Sequence, residues 1–177
     1  MSVTVAVEGN RRKGQQNIEE LVQCIQDIKT CFVRSGCEPN LGASNSDLQR
    51  LQKAMDVDIN EDINLYFAEV NGGIWFMDKI ALSTEEIISI CADLDSSNFW
   101  KSDYFPFCGD ASSLLIINKR GEVLEWDDED GCGDIQADSF SDFLEKYRNS
   151  LLGGRHEFIA DIGVVEKMSS HAPSNRK

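Results

Sequence analysis

The chain reads as one α+β domain, a twisted and largely antiparallel sheet packed by helices. Three observations predict this. Helical spacing of apolar residues dominates positions 15–70. Short strand-like runs then follow at Ile74–Phe76, Lys79–Leu82, Ser113–Ile117 and Val123–Trp126, joined by turn residues. Single helices, after Ser83 and after Ser139, interrupt the strands without a repeating βαβ rhythm. Strands linked by tight turns pair antiparallel, and helices gathered before and after them give an α+β layering. A length of 177 residues suits a single domain, which at this size hides roughly 70% of its unfolded surface.

The elements follow in order. Residues 1–14 are expected to form a flexible arm with a short strand at Val3–Val7, and residues 15–167 the domain. Ile18, Leu21, Val22, Ile25, Ile28 and Phe32 make one apolar stripe, which predicts a helix over 15–34. Pro39 and Gly42 mark a loop. Ser46 is placed to cap a second helix, with Leu48, Leu51 and Met55 inward, and Asn60 a third, through Ile63, Tyr66, Phe67 and Val70. Asn71-Gly72-Gly73 must then end a helix and begin a strand within three residues, which calls for φ > 0 at a glycine. Ser83-Thr84-Glu85-Glu86 has the spacing of a capping box.

Further on, Pro106 and Gly109 bracket the approach to the strand Ser113–Ile117. Asn118-Lys119-Arg120-Gly121 is a hairpin loop, and Val123, Leu124 and Trp126 lie on the returning strand. Residues 127–134 read as an acidic loop, and Ser139–Tyr147 as a helix ended by Gly153-Gly154. Residues 155–166 fit strand and helix equally well, and 168–177 read as a polar, disordered tail.

Composition narrows function. There are 31 acidic and 17 basic residues, a net charge of −14. Phosphate backbones repel such a surface, so nucleic acid is not an expected partner; a protein with a basic surface is. No apolar run approaches the ~20 residues of a membrane span. The basic Arg11-Arg12-Lys13 follows the apolar Val3–Val7, the reverse of a secretion signal. The six cysteines, at 24, 31, 37, 91, 108 and 132, include no CxxC pair and read as the reduced thiols of a cytoplasmic protein. Cys108 and Cys132 are the pair to watch, because both flank the hairpin. With two histidines no zinc set is apparent, and no cofactor is expected.

No catalytic motif stands out. His156-Glu157 lacks the second histidine of HExxH, no GxSxG, P-loop or GxGxxG occurs, and Cys108 has no histidine near it in sequence. The acidic stretch is the chief charged feature. Glu122, Glu125, Asp127, Asp128, Glu129, Asp130, Asp134, Asp138, Asp142 and Glu145 fall within 121–145, which has no Lys or Arg. Such a stretch is either a solvated face or a docking surface for a basic partner. A calcium loop fails on register: with Gly131 at the sixth position, Trp126 and Ala137 would fall at the first and twelfth. A hydrolase using these carboxylates needs an apolar wall to raise one of them, and the run offers none. Trp75, Trp100 and Trp126 are core residues or groove anchors; Trp126, ending a strand at the acidic loop, is the best placed to be an anchor.

Taken in order, these parts resemble the SUKH superfamily of fungal cell-wall assembly regulators, bacterial toxin-immunity proteins and eukaryotic adaptor subunits. The resemblance covers about residues 44–147. It rests on Leu48-x-x-Leu51, Phe67-x-x-Val70-Asn71-Gly72-Gly73, the strand and capped helix of Ile80–Ile90, Phe105-Pro106-Phe107-Cys108-Gly109-Asp110, Leu114–Ile117, Gly121-x-Val123 with Trp126, and Ala137-x-Ser139-Phe140-x-x-Phe143-Leu144. Val57-Asp58-Ile59-Asn60 stands where the family often carries Leu-Pro. The resemblance implies a twisted sheet packed by helices and a role in binding other proteins, with no catalytic site or cofactor.

The expected function is therefore a non-catalytic, intracellular protein-interaction domain. A toxin-immunity protein of the same fold and a hydrolase using the acidic loop are the alternatives. The cysteine count and the extra N-terminal helix favour a eukaryotic adaptor or complex subunit, with cytoskeletal assemblies among the candidates. Its partner surface is expected around Trp75, Asp110, Trp126, Asp127, Asp128, Glu129 and Asp130, and its shaping turns at Asn71, Gly72, Gly73, Pro106, Gly109 and Gly121.

Overall fold

Capping side chains set where most helices begin. The computed structural model describes residues 2–55 and 59–167, with side chains from residue 17 onward; the expected tail lies outside them. Helix α1 spans Ser2–Arg34 and buries Leu21, Ile25, Ile28 and Phe32 against the helices described below. The stripe was legible, but the strand at Val3–Val7 is helix instead, continuous with the expected one. Extending a formed helix adds one bond per residue ordered, whereas starting a new element must pay for nucleation. Helix α2 (Asn45–Ala54) begins earlier than expected. Ser44, not Ser46, is its cap: Ser44 Oγ accepts from Asp47 N at 3.2 Å while Asp47 Oδ2 accepts from Ser44 N at 3.0 Å.

The caps expected at Asn60 and Ser83 are found, and Ser139, expected as the first residue of a helix, is its cap. Asn60 Oδ1 accepts from Ile63 N at 2.9 Å and starts α3 (Glu61–Glu69). Ser83 and Glu86 exchange bonds of 3.3 and 2.7 Å at the start of α4 (Thr84–Leu94). Ser139 Oγ accepts from Asp142 N at 3.1 Å and starts α5 (Phe140–Leu152), which ends at Gly153-Gly154, with Gly154 at φ 69°.

Among the described residues, eight strands form three hydrogen-bonded pieces. β1 (Trp75–Phe76) pairs with β2 (Lys79–Ile80). β3 (Phe105–Asp110), β4 (Ser113–Ile117), β5 (Val123–Asp127) and β6 (Gly131–Ala137) form an antiparallel meander in that order. β7 (His156–Ile159) pairs with β8 (Gly163–Glu166), which resolves the ambiguous 155–166 as a hairpin. Single contacts join the pieces. Ala81 bridges Cys108, Leu82 N donates to Phe107 O at 2.9 Å, and Val164 N donates to Met77 O at 2.8 Å. β6 corrects the expected loop over 127–134: only residues 128–130 form a turn, and the chain from Gly131 pairs back along β5.

This order places the turns. Because β2 runs antiparallel to β3, the β1–β2, β3–β4 and β5–β6 turns lie at one end of the joined sheet. The β7–β8 turn reaches the same end through Val164 and Met77. The β4–β5 turn lies at the other.

Leu114, Leu115, Ile116 and Ile117 are all buried, so both faces of β4 are covered. An aromatic cluster joins strands to helices. Phe107 meets Phe76, Phe140 and Phe143 at 5.7, 5.1 and 5.5 Å between ring centres, and Tyr147 donates to Trp75 O at 2.6 Å. Each such ring pair adds about 0.5–1.5 kcal/mol beyond its burial.

The turn glycines test the argument from backbone shape. Gly72 and Gly73 take φ of 85° and 78°, as the three-residue crossover requires, and Gly109 and Gly121 are also positive. A Cβ on Gly72 would lie 2.9 Å from Ser83 N and 3.0 Å from Ala81 O, both backbone, whereas one on Gly121 would meet open space. Gly121→Ala is expected to cost only the left-handed strain, about 1–2 kcal/mol. Gly72→Ala should cost clearly more. Urea unfolding of the two variants checks the order.

Candidate functional site

The turns at the shared end of the sheet hold most of the residues expected to bind a partner. Asp110 closes the β3–β4 turn. Its Oδ1 accepts from Ser112 N at 2.9 Å, Ser112 Oγ at 2.7 Å and Ser113 N at 3.2 Å. Lys79 donates to Ser113 Oγ at 2.6 Å beside it. Asp127 does the same for the β5–β6 turn, with Oδ1 accepting from Glu129 N at 3.0 Å and Asp130 N at 2.6 Å. Asp128 N donates to Ser112 O at 3.2 Å, which ties the two turns together. Asp110 and Asp127 therefore shape turns, and Asp128, Glu129 and Asp130 present the free carboxylates to solvent.

Two tryptophans lie elsewhere. Trp126 is 1% exposed. Its Nε1 donates to Phe99 O at 3.2 Å, and its ring meets Trp100 edge-on at 5.4 Å. Burial removes it from direct contact with any partner: it pairs with Leu114 and so shares that residue's covered face. Trp75 is half-buried against β8, 6.3 Å from Phe158, and away from the acidic turn.

The apolar residue at the acidic turn is Phe99, which sequence reasoning missed. It is 46% exposed, and a Cβ on Gly131 would come within 3.3 Å of its side chain. Gly131, at φ 82°, is thus a turn residue that leaves room for the Phe99 ring. The signal was an aromatic in a polar loop, Ser96-Ser97-Asn98-Phe99, whose position depends on the Trp126 bond across the fold.

The rest of the acidic stretch divides. Glu122 pairs with Arg120 at 3.1 Å, Asp142 with Lys146 at 2.7 Å and Glu145 with Arg148 at 3.6 Å. Glu125, Asp134 and Asp138 are exposed along β5, β6 and the entry to α5. No group of three or more His, Cys, Asp or Glu side chains among the described residues is arranged to hold a metal ion.

Among the described residues, His156 Nδ1 lies 2.7 Å from Ser150 Oγ, a serine–histidine contact. It sits at the C-terminal turn of α5, and no carboxylate orients the other ring nitrogen among the described residues. The cysteines are unpaired. Cys108 and Cys132 lie on β3 and β6 with two strands between them, about 14 Å apart at the usual strand spacing. No helix among the described residues is long and apolar enough to cross a membrane.

With this geometry in place, comparison identifies the class. The SMI1 / KNR4 family (SUKH-1) model matches residues 42–146, which begin just before α2 and run into α5. The chain belongs to that family. α1 and the β7–β8 hairpin lie outside the matched span. No curated protein matches the chain.

Burial pushes the thiol of Cys24 up to about 11 and that of Cys91 up to about 12, and raises Cys108 well beyond its ordinary value. Cys132 is exposed, its Sγ 3.1 Å from Tyr104 Oη. A thiol reagent near pH 8 should therefore modify Cys132 first and leave Cys24, Cys91 and Cys108 protected until unfolding, after which six thiols titrate. Peptide mapping after a short exposure gives the order.

The Asp110 carboxyl is held below its ordinary value of 3.8, first by Ser112 Oγ, then by the Ser112 and Ser113 N–H groups, with Lys79 adding to them. A depressed carboxyl stabilises the fold above the unfolded value and loses that contribution as pH falls through the folded one. Asp110→Asn should lower stability at neutral pH and narrow the gap to wild type below about pH 3.8. Urea midpoints measured across that range read the effect.

Proposed function

We propose that the chain is a non-catalytic protein-interaction domain, an adaptor or complex subunit of the cytoplasm that binds a partner with a basic surface. The observation that carries this reading is the placement of Phe99 over Gly131, beside the exposed Asp128, Glu129 and Asp130. An apolar side chain at a turn with exposed carboxylates suits a lysine- or arginine-rich surface that also carries an apolar side chain. The family's generally non-enzymatic character supports the same reading, as does the lack of an oriented nucleophile or base at this turn.

The acidic residues would act mainly on encounter. Their field falls off over about 8 Å at physiological salt, so it steers and orients a partner already close. The same surface would also serve an immunity protein, whose toxin would be its one tight partner. An adaptor would instead co-purify within a stable assembly.

The experiment begins by capturing partners of the wild-type chain and identifying them by mass spectrometry, then measures association with the purified partner. Asp128→Lys, Glu129→Lys and Asp130→Lys together should slow association by about tenfold at low salt, with the difference shrinking at high salt. Asp127 stays in place because it holds the turn. Exposed charges add little to stability, so the fold should be unchanged. Equal rates at low salt would leave these carboxylates as a solvated face.

A further inference from the structure

The shared end of the sheet carries a second feature, which is apolar. Met77, Ile80, Ile159 and Ile162 are 43%, 45%, 38% and 56% exposed. They fall on two hairpins that touch. Val164 N donates to Met77 O at 2.8 Å, and a Cβ on Gly163 would lie 2.3 Å from Met77 O and 2.8 Å from the Trp75 ring. Only glycine, at φ 107°, lets the β7–β8 turn come this close. Ile159 pairs with Gly163, and Ile162 N donates to Ile159 O at 3.1 Å across the turn. Ile80 pairs with Trp75 and shares its face. Single exposed apolar residues are ordinary, but several on two touching hairpins form a patch of the kind that marks a contact surface.

Charge selects what covers the patch. Asp78 and Asp161 are exposed on the same two turns. Lys79, the basic residue between them and Asp110, is engaged with Ser113. The β3–β4 and β5–β6 turns continue the acidic edge to Asp128, Glu129 and Asp130. A second copy of the chain, with its net charge of −14, would bring like charges together around the patch.

We infer that the Met77, Ile80, Ile159 and Ile162 patch is the apolar half of one docking edge, and that its occupant is a basic partner segment in which lysines or arginines alternate with large apolar side chains. This rests on the proposed partner-binding role and specifies it. The apolar side chains seat against the two hairpins, and the basic ones reach Asp78, Asp161 and the acidic turns. Anchoring by the patch supplies affinity, and the carboxylates supply orientation.

The test uses two synthetic peptides of about 15 residues with equal positive charge, one carrying Leu and Ile between its lysines and one carrying Gly and Ser. Fluorescence anisotropy on the full chain should show the first binding about tenfold tighter, the worth of one well-buried aliphatic anchor. The double variant Ile80→Ser with Ile162→Ser should bring the two peptides to near equality while leaving the Gly/Ser peptide unchanged. Photo-crosslinks from the first peptide should fall on the β1–β2 and β7–β8 turns of the wild type, which decides the matter even if the variant folds poorly.

Equal binding of both peptides to the wild type would overturn the inference and leave the acidic docking role standing. A preference that survives the double variant, or crosslinks elsewhere, would also overturn it. Binding of neither peptide would overturn both readings. A concentration-dependent dimer abolished by Ile162→Ser would assign the patch to a second copy instead.

Discussion

The crossover at Asn71-Gly72-Gly73 is the constraint on which the rest of the fold depends, because four segments meet there. Asn71 Oδ1 accepts from Thr84 N at 2.8 Å, at the first turn of α4. Asn71 O accepts from Asn40 Nδ2 at 2.9 Å, and Gly72 O from Asn40 N at 3.1 Å. Gly73 N donates to Ala81 O at 3.3 Å and aligns β1 with β2. The left-handed backbone at both glycines turns α3 into β1 and leaves space for the passing Ala81–Ser83 chain. From this node β2 leads into the bridge to β3, so the position of the meander and of its turns follows from it.

The acidic stretch shows why charge in sequence is a poor guide to charge at a surface. Glu122, Asp142 and Glu145 are answered by Arg120, Lys146 and Arg148, all three of which lie just outside the stretch. Asp110 and Asp127 each accept from backbone N–H groups at Oδ1, which fixes the turns and holds these side chains in place. The exposed Asp134 on β6 has a further structural effect. β6 is the edge of the meander, yet it shifts register twice against β5 and carries Gly133 and Asp134. Bulges, glycine and inserted charge all make an edge a poor template for unspecific strand pairing.

Much of the fold was legible because it is set by local chemistry. The caps at Asn60, Ser83 and Ser139, the strand Ser113–Ile117 and the glycine crossover each follow from residues within a few positions of one another. The failures involve distant partners. Gly131–Ala137 has few strand-forming side chains and is a strand because β5 offers it a ladder. The β7–β8 hairpin depends on Gly163 fitting against Met77, more than eighty residues earlier in sequence. Trp126 looked free because it ends a strand beside acids. It is buried because residues 99–104 fold over that face, which no local pattern announces. Phe99 becomes exposed at the acidic turn through the same long-range contact. The candidate site was thus legible in its charge and largely illegible in its apolar part.

Strand parity explains why the charged and apolar features share one edge. In a meander every second turn falls at the same end, so the turns after β3 and β5 are gathered there by topology, and the antiparallel bridge from Ala81 to Cys108 brings the turn after β1 to them. Those turns carry Asp78, Asp110 and Asp127–Asp130, and Asp161 joins them from the β7–β8 turn. The opposite end has the β4–β5 turn, with exposed Lys119 and Arg120 and with Glu122 as a counter-charge. The sheet is therefore polarised along its strands, negative at the turn-rich end. A basic partner would feel that asymmetry before contact and approach with one orientation, while repulsion between acidic ends disfavours pairing of two copies through the same surface. The polarity comes from alternating turns of the β3–β6 meander and from the two hairpins joined to it.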